Sequence, residues 1–183
     1  MVEKYFITAN DLLLDSYKLA KKIIDSNFKP NFIIALWRGG TPVGIAVQEF
    51  LDYHGFKTDH IAIRTSAYEG IDEMKREIRV HGLEYIEKNA NSEDKLLIID
   101  DVYDTGLSIK AVLESLAKGM RANLPKQIKV AAVYYKPARN KTDRVPDFYI
   151  HETDKWLVFP HELKGLTMRE IELKGKEISD LLK

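Results

Sequence analysis

Three carboxylates and two hydroxyls fall close together in this chain: Asp100, Asp101, Asp104, Thr105 and Ser108, with Gly106 among them. They follow Leu96-Leu97-Ile98-Ile99, an apolar run that reads as a buried strand. The stretch Asp104-Thr105-Gly106-Leu107-Ser108 would wrap backbone N–H groups and two hydroxyls around an anion at the start of the next helix, as phosphate-binding loops do. Gly106 lets the backbone approach such an anion closely. Asp100 and Asp101 would hold the hydroxyls of a sugar, or the water shell of a magnesium ion bound to it. Neighbours on an extended strand point to opposite faces, so one of the pair is expected to face the ligand directly. Standing alone, the same pattern of acids fits an ordinary strand-to-helix turn with solvated carboxylates equally well.

The elements that must position these residues alternate along the chain. Thr8-Ala9-Asn10-Asp11 resembles a helix-capping box, and Leu12, Tyr17, Ala20, Ile23 and Ile24 recur at helical spacing up to about Phe28. Residues 32–36 form a short apolar strand candidate. After Arg38-Gly39-Gly40, Thr41 would cap a helix with Pro42 at its first position, and Gly55 would stop it. Residues 60–64 read as a strand, residues 66–91 as a charged stretch, and residues 95–99 as the strand before the acids. A helix over about 108–120 and a strand over 128–135 follow. Strand, loop and helix in succession predict an α/β fold, a mostly parallel twisted sheet flanked by helices on both faces. In such sheets ligands bind beyond the carboxyl ends of the strands, so the acids are expected at the mouth of the sheet.

Composition restricts the chemistry. The 183 residues, 45% hydrophobic, suffice for a sizeable core and are read as one domain. Lys plus Arg equals Asp plus Glu at 28 each, so no bulk cationic field draws the chain to nucleic acid or an anionic membrane, and any anion site must be local. The absence of cysteine excludes disulfides, thiolate nucleophiles and Cys-ligated zinc. No apolar run approaches the roughly 20 residues of a membrane span, and the chain reads as cytoplasmic. The five histidines, His161 included, show no metal-ligand spacing and read as structural or solvated. The basic cluster at 136–141 lacks interleaved aromatics and reads as a solvated loop.

The stretch from Leu96 to Ser108 resembles the phosphoribosyl pyrophosphate (PRPP) signature of type I phosphoribosyltransferases: apolar residues, Asp-Asp, two residues, Asp-Thr-Gly, one residue and a hydroxyl. That resemblance implies that Thr105, Gly106, Leu107 and Ser108 cradle the 5-phosphate and that Asp100 and Asp101 hold the ribose hydroxyls. It implies that Asp104 accepts the proton from the purine N7. Leu107 stands where many relatives carry Gly or Lys. Trp37-Arg38-Gly39-Gly40-Thr41 resembles the family's pyrophosphate loop, in which Arg38 supplies a planar fork and Gly39 and Gly40 expose N–H groups. The stretch from Ser66 to Glu77 resembles the mobile catalytic loop, with Ser66 and Tyr68 at its opening and Arg76 reaching pyrophosphate; as a plain residue Arg76 reads equally well as solvated on a following helix. Closing such a lid excludes water from the reactive sugar.

The C-terminal part resembles the 6-oxopurine (hypoxanthine and xanthine-guanine) branch. There Lys136 donates to O6, Trp156 stacks on the base, the backbone of Leu157 bonds the purine edge, and Glu162 joins Asp100 and Asp101 as a magnesium ligand. A lysine has donors only, so it favours the O6 of hypoxanthine or guanine over the amino group of adenine. A small hood over the base would come mainly from about 137–166, with the N-terminal segment as a possible contributor. Thr167-Met168-Arg169-Glu170 reads as a capping box that opens a C-terminal helix over 167–182. That helix would cover the sheet or meet a second subunit, and the resemblance implies a homo-oligomer, a dimer or tetramer. The implied activity is transfer of a 5-phosphoribosyl group from PRPP to N9 of a 6-oxopurine in purine salvage. The alternatives on the same scaffold are transfer to adenine, orotate or uracil, and a PRPP-sensing regulator.

Overall fold

The computed structural model describes residues 4–69 and 76–182. In chain order the elements are β1 (Lys4–Phe6), α1 (Ala9–Asp25), β2 (Phe32–Trp37), α2 (Gly40–Tyr53), β3 (Asp59–Glu69), β4 (Arg76–His81), α3 (Glu84–Asn89), β5 (Lys95–Tyr103) and α4 (Leu107–Met120). Then come β6 (Gln127–Tyr135), β7 (Phe148–Glu152), β8 (Trp156–Val158), α5 (Met168–Lys174) and α6 (Lys176–Asp180). Helix α1 starts where its sequence signal lies, with the Thr8 hydroxyl accepting from the Asp11 N–H at 3.1 Å.

Six strands make one sheet in the order β4-β3-β2-β5-β6-β7, parallel throughout except for the antiparallel β3–β4 edge pair. Strands β1 and β8 form a separate parallel pair, with Tyr5 opposite Leu157. One apolar layer joins α1 and α2 (Leu12, Leu19, Ile23, Val43, Val47, Leu51) to Leu97 and Ile99 of β5. The other joins α3 and α4 (Ile86, Ile109, Val112, Leu116) to Leu96 and Ile98. Helices on both faces explain why the centre of β5 is an unbroken apolar run. Past Asp100 and Asp101 the in–out order slips by one residue, because Val102 joins the first layer and Tyr103 the second. The acid pair therefore occupies the break in the strand's alternation. No helix among the described residues is long and apolar enough to cross a membrane.

Four expectations are corrected. Helix α2 begins at Gly40 with Gly39 as N-cap, and Thr41 lies inside the first turn without capping it. The turn before it packs closely on β5: a Cβ on Gly39 would stand 1.9 Å from Asp101 Oδ2, and one on Gly40 2.6 Å from the Ile99 carbonyl oxygen. The strands expected at 60–64 and 95–99 extend to Glu69 and Tyr103, since sheet pairing continues past the apolar residues. Ser66 and Tyr68 lie on β3 and Arg76 opens β4, paired with Glu69, so Arg76 is on a strand and not on a following helix. Residues 70–75 of the expected lid lie outside the described residues. The single C-terminal helix is two, because Gly175, at φ 150°, ends α5 before α6 begins; that backbone angle suits only glycine.

Candidate active site

Strand β5 delivers its acids to the carboxyl end of the sheet, and α4 begins immediately beyond them. Gly106 caps α4 in the left-handed region at φ 75°. A Cβ there would meet Tyr103 Oη at 2.6 Å and Thr142 Oγ1 at 2.7 Å, so conformation and space both require glycine. Asp100, Asp104, Thr105, Gly106 and Ser108 line one cavity of about 70 Å³ at this helix start. The free N–H groups of the first turn and the dipole of α4 favour an anion in that position. Leu107 is the first helical residue, with its N–H directed to Thr105 Oγ1 at 3.4 Å.

The two adjacent acids have different neighbours. Asp100 borders the loop cavity, whereas Asp101 packs against Gly39 and lies 3.7 Å from His161 Nε2. Burial, together with the Asp101 charge, pushes the Asp100 carboxyl well above the ordinary range. Burial likewise pushes Asp101 up to about 6, and the negative charge of Glu162 acts in the same sense. Such a pair is unfavourable empty and favourable around a cation or sugar hydroxyls. Both are hard oxygen donors of the kind magnesium takes. Among the described residues no three His, Cys, Asp or Glu side chains gather to hold an ion alone. Glu162 is thus not gathered with Asp100 and Asp101 into one ligand group.

Arg38 and Gly39 follow β2, the strand beside β5, and the peptide bond between Trp37 and Arg38 is cis. Burial holds the His161 pKa below the ordinary value; Glu162 opposes this, and the positive charges of Lys174 and Arg38 add to it. The residues after β8 thus meet the ends of β2 and β5. Glu162 stabilises its own turn, with Oε2 accepting from the Phe159 N–H at 3.0 Å and its own N–H donating to the Phe159 carbonyl at 3.0 Å.

Lys136 is only 7% exposed, just beyond β6, and its Nζ is 4.0 Å from Asp104 Oδ2. The other oxygen of Asp104 accepts from Arg139 Nε at 2.5 Å. In the 136–141 cluster Pro137, Ala138, Arg139 and Lys141 are exposed, as the sequence reading expects, and only Lys136 is buried. The cluster folds over the phosphate-type loop, with the Lys141 N–H donating to the Thr105 carbonyl at 3.0 Å. Trp156 on β8 is 52% exposed while Leu157 beside it is buried. A tryptophan flanked by Leu-Val-Phe is thus free of the core, and the packing of Tyr134 on Phe159 (5.8 Å between centroids) ties its segment to the end of β6. Ser66 Oγ lies 3.4 Å from His81 Nε2 in the β3–β4 pair.

Two residues were missed by sequence reasoning. His161, read as structural or solvated, stacks on Phe159 at 5.7 Å and faces Asp101; its signal was its place beside Glu162. Arg139 pairs with Asp104 across 35 positions, and nothing in its immediate sequence marks that contact.

Residues 7–164 match the phosphoribosyl transferase domain family. Xanthine phosphoribosyltransferase 1 of Saccharomyces cerevisiae is 26% identical over 192 residues, spanning 90% of this chain and 92% of its own. Among solved structures, a purine phosphoribosyltransferase from Pyrococcus horikoshii is 28% identical with a TM-score of 0.71, over 90% of this chain and 97% of that one. The Helicobacter pylori xanthine-guanine-hypoxanthine phosphoribosyltransferase shares the fold at 19% identity and a TM-score of 0.66, covering 96% and 99% of the two chains. With most of its length matched and the loop geometry in place, the chain belongs to the phosphoribosyl transferase domain family.

Proposed function

We propose that this chain transfers the 5-phosphoribosyl group of PRPP to N9 of a 6-oxopurine, releasing pyrophosphate and the nucleoside 5'-monophosphate. The observation that carries the base assignment is the juxtaposition of Lys136 Nζ and Asp104 Oδ2 at 4.0 Å. A 6-oxopurine presents an acceptor at O6 next to N7, so one edge can take a donor from Lys136 and give a proton to Asp104 together. The names of the yeast and Pyrococcus relatives support a purine substrate. The exposed Trp156 ring offers a stacking face, which contributes affinity of about 1–3 kcal/mol per base with little selectivity. Selectivity then falls to Lys136 and the Leu157 backbone.

In this reading Thr105, Gly106, Leu107 and Ser108 hold the 5-phosphate at the start of α4, and Asp100 and Asp101 orient the ribose hydroxyls. Arg38, with the N–H groups of Gly39 and Gly40, binds the pyrophosphate whose charge grows as the bond to C1 breaks. Fixed donors aimed at that developing charge are the kind of help that dominates many enzymatic rate enhancements. A magnesium ion held by Asp100 and Asp101 through PRPP, with Glu162 nearby for a second, would supply charge neutralisation on the leaving group. Asp104 takes the N7 proton.

The test is pyrophosphate release on mixing the protein with PRPP and magnesium and each of hypoxanthine, guanine, xanthine, adenine, orotate and uracil. Release with one or more 6-oxopurines and not with the other bases is expected. Release only with adenine, orotate or uracil would reassign the base, and release with none would favour a PRPP-sensing regulator.

A further inference from the structure

Helix α5 lies beyond the part of the chain matched to the family, and both of its ends are tied to the segments around β1 and β8. At its start, the Thr167–Glu170 capping box is closed in both directions, and Glu170 Oε1 accepts from Lys4 Nζ at 2.6 Å. Lys4 lies in β1, opposite Trp156 of β8. At the other end, Lys174 Nζ donates to two carbonyls of one turn, Phe159 at 2.6 Å and Glu162. Ile171 between them is buried. Lys174 therefore cross-links the two ends of the turn that presents His161 to Asp101 and carries Glu162. The Phe159 carbonyl already accepts the Glu162 N–H, so the ammonium fills its second lone pair. An ammonium on two backbone oxygens is a charge-assisted contact, stronger than a neutral hydrogen bond.

We propose that Lys174 is a positioning residue for the base-binding side of the site: through the 159–162 turn it fixes β8, and with it Trp156 and the Leu157 backbone. This rests on the purine reading above. Helix α5 acts as a brace pinned to β1 by Glu170 and to the turn by Lys174, so the small β1–β8 pair gains a rigidity that three-residue strands lack alone. The phosphate loop at the start of α4 and Arg38 after β2 lie outside this brace, which reaches the PRPP side only through His161 and Glu162 of the turn.

Lys174→Met keeps the aliphatic stem and removes all three donors. Its KM for the purine should rise about tenfold or more, as expected for a lost charge-assisted contact, and by a larger factor than the KM for PRPP, whose phosphate loop and Arg38 the turn does not carry. Lys174→Arg should restore most of the loss. Hydrogen exchange provides a readout independent of turnover: amides of residues 156–162 should exchange faster in Lys174→Met, and those of β2, β5 and β6 should not change. Unchanged exchange at 156–162, acceleration throughout the molecule, or parallel rises in both KM values would overturn the proposal. If the wild-type protein converts no purine, the functional reading fails, and the exchange pattern still decides whether Lys174 holds the turn.

Discussion

Asp104 takes a proton in the proposed reaction, yet Arg139 holds one of its oxygens and Lys136 stands by the other. Both cations lie past β6, so the orientation of the carboxylate is set by a segment outside β5 and α4 that packs on the phosphate-type loop. Asp104→Asn keeps the shape and removes the basic oxygen. Turnover is expected to fall roughly 10²- to 10⁴-fold, the usual contribution of a positioned acid or base. PRPP affinity, measured by calorimetry, should change little, and an undiminished turnover would remove Asp104 from the role. Asp101 illustrates a different trade. Its pKa of about 6, against an ordinary 3.8, means that ionisation disfavours the empty folded state. The penalty is absent below about pH 4, grows as pH rises towards 6, and is constant above that. Asp101→Asn should therefore stabilise the unliganded protein by about 1–2 kcal/mol at pH 7.5 and lose that advantage near pH 4, while binding of PRPP with magnesium is abolished. Denaturant unfolding at the two pH values measures the difference, and equal stabilisation at both would contradict the burial argument.

Much of the element pattern could be read from the sequence because it is local. Thr8 with Asp11 marks α1, Thr167 with Glu170 marks α5, and the run 96–99 marks β5. What stayed hidden depends on distant partners. The β1–β8 pair joins three-residue strands some 150 positions apart, too short to show any period. The need for glycine at 39 and 40 comes from Asp101 and Ile99, about 60 residues on, which the local Thr-Pro signal does not reveal. The edge strand β4 and the outer half of β3 are mostly polar, so pairing with each other and not apolar alternation defines them. A similar long-range tie joins α1 to β7: Asp15 accepts from Lys18 at 2.8 Å and contacts His151 Nε2 at 2.7 Å, and Tyr134 stacks on that ring. Burial alone would raise the Asp15 pKa, but Lys18 and His151 outweigh it and hold it below the ordinary value. A depressed carboxyl contributes stability above its unfolded pKa of about 4 and loses it as pH falls through the folded value. Asp15→Asn should thus destabilise the protein by roughly 1 kcal/mol at pH 7, a modest figure because His151 is 41% exposed, and the gap should close in acid. Thermal melts across pH 3–7 test this; a gap that is constant with pH would mean that the ion pair carries none of it.

At the scale of the whole molecule, the candidate site is assembled from four distant parts of the chain: 38–40 after β2, 100–108 at the end of β5, 136–141 after β6, and 156–162 around β8. None of them alone offers groups for both proposed substrates, so binding is expected to tighten segments that already meet through Arg139 with Asp104 and His161 with Asp101. The zero net charge sharpens this, since no overall field supplies affinity and the anionic ligand must draw on these local donors. A ligand that binds only the folded state adds about 2.7 kcal/mol at a hundred times its Kd. For a chain of this length that corresponds to a rise in Tm of roughly 5–10 °C. PRPP with magnesium should give that shift in the wild-type protein, and a chelator such as EDTA should remove most of it, because the acid pair then faces the sugar without a cation. Asp101→Asn should melt at one temperature with or without ligand. A full shift that persists in EDTA would place the affinity in the phosphate loop and Arg38 alone, and would separate the acid pair from the binding of PRPP.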